Sequence, residues 1–481
     1  MISKRHPHPS CRLVGVSLVA AVAACLAAGP PPASAAPWAV PGEVVVGYEP
    51  GTSAAAQDGI AANVGATPGE QVSPSSQVVH VQPGESVTDA IARLKRTDGV
   101  AFAVRNRIAR AAAEDSWVPN DIGRPGRPPG GWLTSQWNFG TLTGVGAIPA
   151  WNNLRRAGYP GGRGVKIAVI DSGVAYRDWG RYKRSPDFAG TRFSDACDFL
   201  ARNAPKSCVP GQKRYRPAGP PVDRFGHGTH VAGTIAESTN NRAYMTGLAW
   251  GATIMPLRVL DSQGNGESAD IAQAIRWATD HGAKIANLSI EFDPETTEKD
   301  IPEIIRAVNY ATSKGTLVVA AAGNDSRSTV AYPARTANAM AVGATTEHGC
   351  LADYSNYGTG LDIVAPGGGL DRRITTDPNC QINSTGNRDI VQLGLRRGRN
   401  GSAVIPYQFS IEAEDGTSMA TPHVSAAAAL VVASRRLGRF PKPSLLKRHL
   451  MNTADPTSLP TYYGAGLLDA GRATAPPAPP N

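Results

Sequence analysis

The sequence predicts an α/β fold on a mostly parallel central sheet. Three observations carry that reading. Short, largely apolar runs recur at 165–170, 252–260, 286–290 and 317–322. They are too short for stable helices and too continuous for strands wetted on one face, so they read as strands covered on both sides. Segments with helical spacing alternate with them, at 147–157, after His227, at 271–278 and at 425–433. The run 165–170 ends in Asp171, and open α/β sheets place their chemistry at the carboxyl ends of strands.

The stretch Gly416-Thr417-Ser418-Met419-Ala420-Thr421-Pro422-His423 leads into a small-residue helix. A serine there has a backbone N–H without an internal partner and sits at the positive end of the helix dipole. Both suit a hydroxyl nucleophile that generates an oxyanion. For an isolated Gly-Thr-Ser an ordinary N-cap is the better explanation. The decisive point is that a base and its orienting acid occur upstream, in His227-Gly228-Thr229-His230-Val231-Ala232-Gly233-Thr234 and Asp171-Ser172-Gly173.

These three motifs, in this order, resemble the subtilisin-like serine peptidases, and the likeness extends from about 136 to 470. It implies a three-layer α/β domain with helices on both faces of the sheet. It also implies serine endopeptidase activity through an acyl-enzyme, with Asp171, His227 and Ser418 as the triad. Asn324, after the 317–322 run, matches the family's oxyanion-hole residue; alone, Gly323-Asn324-Asp325 would read as a turn. By the same resemblance Gly264, Asn265 and Gly266 form an edge that pairs with extended substrate. Leu288, Ser289 and Ile290 form one wall of the P1 pocket, Ala321, Ala322 and Gly323 another, and Ala331 its base. Relatives usually carry glycine at the end of the first wall. Ile290 with Glu291 departs from that, and the P1 preference stays open. Asp325 reads either as an attractor of basic P1 residues or as a solvated side chain. His230 and His423 lie in the motifs with packing roles.

The 481 residues carry 48 basic and 39 acidic side chains, net +9, with the arginines scattered in doublets. No basic run alternates with aromatics, which argues against nucleic-acid binding. Lys4, Arg5 and Arg12 precede an apolar run at 13–28, and Ala33-Ser34-Ala35 follows. This is the pattern of a secretory signal peptide over 1–35 and implies export. Val22-Ala23-Ala24-Cys25 also fits lipoprotein cleavage, so acylation of Cys25 is the one route to a membrane. Residues 36–115 read as a small α+β unit with strands near 43–48, 78–81 and 101–108 and a helix at 87–95. It resembles the pro-domains that chaperone and inhibit secreted subtilisins; an independent binding domain is the alternative. Cleavage is expected within 108–116. A Pro/Gly-rich linker is expected at 116–135, the catalytic domain at 136–472 and a disordered tail at 473–481.

The mature region has four cysteines, which allow three pairings. Cys197–Cys208 and Cys350–Cys380 are expected, because each closes a local loop. Residues 370–412 form an insertion relative to compact subtilisins, with a hairpin near 392–411. Catalysis needs no cofactor. The resemblance implies a structural calcium held by Gln136, Asp187 and Asn241, although Tyr244 replaces a glycine of that loop. The expected partners are polypeptide substrates and the chain's own pro-domain, with the enzyme a monomer. Two rivals remain: a processing protease anchored through Cys25, and a non-catalytic binding protein on the same fold.

Overall fold

The computed structural model describes residues 39–107, 116–200, 219–381, 387–398 and 404–476. The signal peptide, Cys25, the cleavage stretch up to residue 115 and Cys208 lie outside the described residues. The chain divides into two compact units, Met1–Glu114 and Asp115–Asn481.

In the first unit the order is β1 (Ala39–Tyr48), α1 (Ala54–Asn63), β2 (Thr67–Ser73), β3 (Ser76–His80), α2 (Val87–Leu94) and β4 (Val100–Arg107). The strands form an antiparallel sheet in the order β2-β3-β1-β4. Val44 and Val46, two apart on β1, face the core with Val79, Leu94 and Ala103. Ser53 and Ser86 cap the helices by accepting from Ala56 N and Thr88 N. Sequence reading missed α1 and β2. The helix AAAQDGIAAN has a faint apolar stripe, and β2 is polar and largely exposed.

The second unit contains α3 (Trp132–Ser135), α4 (Ala147–Arg156), β5 (Lys166–Asp171), β6 (Arg192–Phe193), β7 (Cys197–Asp198), α5 (His227–Ala236), β8 (Thr253–Arg258), α6 (Ser268–Asp280), β9 (Ile285–Leu288), α7 (Pro302–Ser313), β10 (Leu317–Ala321), β11 (Ala339–Thr345), β12 (Ile363–Pro366), β13 (Ile390–Arg397), β14 (Val404–Glu414), α8 (Thr417–Ser434) and α9 (Pro443–Thr453). The central sheet runs β12-β11-β10-β9-β5-β8-β6, with β7 also on β8. Its strand pairs are parallel. On β5, Ile167 and Val169 point into a core shared with α4, α5 and α8, while Ala168 and Ile170 point into a second core under α6 and α7. Both faces are dry, which is why the run is apolar throughout. Helices therefore cover both faces, as expected.

Helix α8 crosses the first core. Every residue from Thr417 to Ala433 is buried except Ser418. Its alanines let the helix lie close to β9, β10 and β11.

The 116–135 stretch is composed like a linker but packed like core. Trp132 is 1% exposed and meets Trp151 edge-on at 5.4 Å. Trp117 N–H donates to Asn152 Oδ1 at 2.9 Å. The insertion forms an antiparallel hairpin, β13 on β14, with Ile390 opposite Glu414. It packs into the domain, since Ile390, Leu393 and Leu395 are buried. Cys350 and Cys380 are joined, with an S–S distance of 2.02 Å. Among the described residues no helix is long and apolar enough to cross a membrane.

Truncating Leu430, fully buried on α8, should cost about 2–5 kcal/mol by removing methyl contacts and leaving a cavity. The denaturation midpoint of Leu430→Ala, measured in a Ser418→Ala background so that self-digestion does not interfere, checks this.

Candidate active site

Asp171 ends β5 and is fully buried. Its Oδ1 accepts from Ser172 N at 2.6 Å. His227 opens α5, and its Nδ1 lies 2.9 Å from Asp171 Oδ1 and 3.0 Å from Oδ2. Strand end and helix start are tied by Asp223, which is 1% exposed. One of its oxygens accepts from Ser172 Oγ, Phe225 N and Gly226 N. The other accepts from Thr229 N and Oγ1. Sequence reading overlooked Asp223; the only local signal was an acid four residues before the histidine.

Burial alone would lower the pKa of His227. The charge and hydrogen bond of Asp171 outweigh it, Glu414 and Asp223 add to them, and the pKa rises to about 9. His230 and His423 sit in other surroundings. His230 Nε2 lies 3.1 Å from Ile390 O, which fastens α5 to the hairpin. His423 Nδ1 donates to Met419 O at 2.9 Å and its Nε2 faces Asn138 Nδ2 at 2.8 Å. Burial drives its pKa down to about 3, so it stays neutral.

Ser418 is the second residue of α8, after the N-cap Gly416. Gly416 has φ 149°, and an added Cβ there would lie within 3.9 Å of Ser418 N and both polar atoms of the Asn324 side chain. Glycine thus supplies the conformation beside the serine. Ser418 N–H donates to no described residue, as befits a first-turn amide. The Ser418 hydroxyl donates to Ser289 O at 3.2 Å, and no hydrogen bond joins it to His227 in this arrangement. Pro422 stands four residues on and has no N–H, so the Ser418 carbonyl loses its helical donor. Ser289 Oγ replaces it at 2.8 Å.

Asn324 follows β10. Its Oδ1 accepts from Thr417 N and Thr417 Oγ1, both at 2.9 Å, which turns Nδ2 outward. The amide flank of Ser418 and the Asn324 side chain are thereby held on one side of the nucleophile. Glu291 reaches the same place: Oε2 accepts from Asn324 N at 2.8 Å and Oε1 from Asn324 Nδ2 at 3.3 Å. Burial, with Asp325 nearby, raises the Glu291 pKa, although hydrogen bonds from Asn324 pull the other way.

Leu288, Ser289 and Ile290 are buried, as are Ala321, Ala322, Gly323 and Ala331. Ala331 N donates to Ala322 O at 2.8 Å, which closes the walls on the base. Gly264, Asn265 and Gly266 do not form a strand. They belong to a turn closed by a Leu260–Gly266 bridge, with Asp261 Oδ1 accepting from Gln263 N and Asn265 N. Asn265 and Gly266 are exposed, and Gly264 abuts Phe225 two residues before His227.

The three residues nominated for calcium lie on adjoining segments, and each of their oxygens accepts a hydrogen bond. Asp187 accepts from Asn241 Nδ2 at 3.0 Å and from Met245 N at 2.9 Å. Asn241 Oδ1 accepts from Ala243 N and Gln136 Oε1 from Thr246 N. Among the described residues no cluster of acidic, histidine or cysteine side chains suits a metal. As placed, Asn241 turns its Nδ2 toward Asp187 and its Oδ1 toward Ala243 N, so the acid and amide oxygens do not converge as calcium ligands do. Instead burial, helped by Asp121, raises the Asp187 pKa to about 7, against the pull of its own hydrogen bonds. Because the folded-state pKa lies above the unfolded value of 3.8, its stability contribution is full below pH 4 and is lost as pH rises through 7. Asp187→Asn mimics the protonated form. It should be more stable than the parent at pH 8 and not at pH 4 when thermal midpoints are compared, with no response of the parent to a chelator. A midpoint that falls with the chelator, and with the substitution at pH 8, would instead support a bound cation.

Residues 162–466 match the subtilase family, Peptidase_S8, and residues 31–106 match the fervidolysin N-terminal prodomain. Subtilisin BL from Lederbergia lenta is 37% identical over 318 residues, covering 65% of this chain and 91% of that protein. A thermophilic serine proteinase from Bacillus sp. (strain AK1) is 33% identical over 438 residues, 90% of this chain and 86% of that one. A solved protease from Pseudoalteromonas arctica superposes with a TM-score of 0.55 at 27% identity, covering 74% of this chain and 99% of its own. With the Asp171–His227 pair and a partly exposed serine at a helix start, these matches place the chain in the subtilase family of serine endopeptidases.

Proposed function

We propose that the chain is an exported endopeptidase that matures by cutting itself. Ser418 Oγ attacks the peptide carbonyl and His227 takes its proton, later passing it to the leaving amine. Asp171 holds the imidazole tautomer and stabilises the imidazolium. Asn324 Nδ2 and Ser418 N–H hold the oxyanion. Water then hydrolyses the acyl-enzyme. The observation that carries this reading is the buried Asp171 carboxylate within 3.0 Å of His227 Nδ1. A binding protein on this fold has no use for a buried charge aimed at an imidazole, which supports the enzyme over that rival. The hydroxyl that now faces Ser289 O must turn toward His227 for the proton to pass.

The substrate is an extended polypeptide read along the turn at 264–266 and the walls 288–290 and 321–323. The N-terminal unit serves as chaperone and inhibitor: a large parallel sheet folds slowly, and a protease needs restraint until exported. The leader argues for release, with Cys25 acylation as the alternative that palmitate labelling would reveal.

The secreted masses of wild type and Ser418→Ala test self-processing. Loss of the N-terminal unit in wild type alone is expected; equal processing of both would mean another protease matures the chain. General-base catalysis needs neutral His227, so kcat/KM should climb with pH on a limb near 9, to which Asp171 raises the imidazole against its burial. Replacing Asp171 with Asn should move that limb to lower pH and reduce kcat by about 10⁴-fold.

A further inference from the structure

Glu291 stands where chemistry would disfavour a carboxylate. Its Oε1 lies 3.3 Å from Asn324 Nδ2, the donor assigned above to the oxyanion. A second negative charge beside a developing oxyanion raises the barrier unless a cation offsets it. Among the described residues no lysine, arginine or histidine pairs with Glu291 or with its neighbour Asp325. Arg327 pairs with Glu295 at 2.9 Å, and Arg335 lies over the Tyr332 ring at 5.2 Å.

The position of the carboxylate says where the missing cation would come from. An added Cβ on Gly323 would lie 2.7 Å from Glu291 Oε2 and 3.0 Å from the Ala331 Cβ. Glu291 therefore sits between the oxyanion donor and the pocket base. The side chain of the residue whose carbonyl is attacked leaves from the adjacent carbon, so it enters this same gap. Ala331 also borders a cavity of about 470 Å³ lined by Thr329, Tyr332 and Asn356 and by Arg327 and Arg335, whose charges are met by Glu295 and by the Tyr332 ring.

We propose that Glu291 is the specificity-determining residue of the P1 pocket and selects substrates with lysine or arginine at P1. The proposal deepens the peptidase reading and rests on it. A basic side chain pairs with Glu291 and draws it from Asn324 Nδ2, which frees that amide for the oxyanion. A neutral side chain leaves the charge uncompensated, and an acidic one adds to it. The discrimination then falls on kcat as well as KM. Asp325 strengthens the same field from the rim.

The test is kcat/KM on peptides matched except for Arg, Lys, Leu or Glu at P1, for mature wild type and Glu291→Gln. Wild type is expected to favour Arg and Lys over Leu by about tenfold or more, and Glu291→Gln to erase most of that preference. Benzamidine, an aryl cation, should inhibit wild type far better than neutral benzamide, a comparison that needs no variant. An unchanged P1 ranking in the variant, or equal inhibition by the two aryl probes, would overturn the proposal. Labelling Ser418 with a fluorophosphonate that lacks a P1 side chain separates the two levels. Absent labelling of wild type sinks the peptidase reading itself, whereas full labelling with an indifferent P1 ranking sinks only the role of Glu291.

Discussion

The hydrogen bond from Ser289 Oγ to the Ser418 carbonyl fixes the nucleophile helix against the sheet. It exists because Pro422 cannot donate to that carbonyl, and a carbonyl left without a donor in a buried setting is costly. Ser289 is itself held by Asn287 Nδ2 at 3.0 Å, and Asn287 Oδ1 accepts from Ser425 Oγ at 2.8 Å. The three polar side chains close a circuit from α8 to the end of β9 and back to α8. Apolar packing of so many alanines would tolerate sliding, because small smooth surfaces specify register weakly. The circuit does not, since a slip would strand several buried polar groups at once. The serine is thus placed by a defect in its own helix that a neighbouring strand repairs.

The same economy of buried polar groups sets the acid and base. Asp171 and Asp223 are both buried, yet they do different work. Asp223 spends its oxygens on five donors that define the beginning of α5 and the end of β5. Asp171 accepts one backbone N–H and directs the rest of its acceptor capacity at a single imidazole. Rigid positioning comes from the first acid and charge from the second. The hairpin β13–β14 adds to the field through Glu414, which pairs with Arg397 at 3.3 Å. An insertion that looks decorative by composition is therefore joined to the electrostatics of His227.

What could be read from the sequence was what neighbours in the chain determine. The runs at 165–170 and 317–322 needed no distant partner to be recognised as buried strands, and Asp171 and His227 stood in contiguous motifs that the structure brings within hydrogen-bond reach. What escaped was decided by distant contacts. Trp117 and Trp132 lie in a proline- and glycine-rich stretch and gain their place in the core only from Asn152 and Trp151. Glu291 was noticed as a departure, but its approach to Asn324 follows from the adjacency of β9 and β10, which no local pattern reveals. The polar, faintly periodic α1 and β2 went unseen because they are stabilised by a sheet assembled from other segments.

The loop at 239–245 shows how a curl can be kept with neither glycine nor open ligand oxygens. Asn240 and Arg242 adopt φ of 65° and 63°, conformations that side chains other than glycine, asparagine and aspartate resist. The loop pays for this locally, because Asp121 accepts from Asn240 N and Asn241 N while Asn120 Oδ1 accepts from Arg242 N. Asp121 comes from the stretch that reads as linker, so that stretch supplies the loop's internal ligands. Asp187 and Glu237 lie close enough for their charges to raise one another's or a shared neighbour's pKa, and burial raises both. Burial that favours the protonated form of these acids ties the rigidity of the loop to pH.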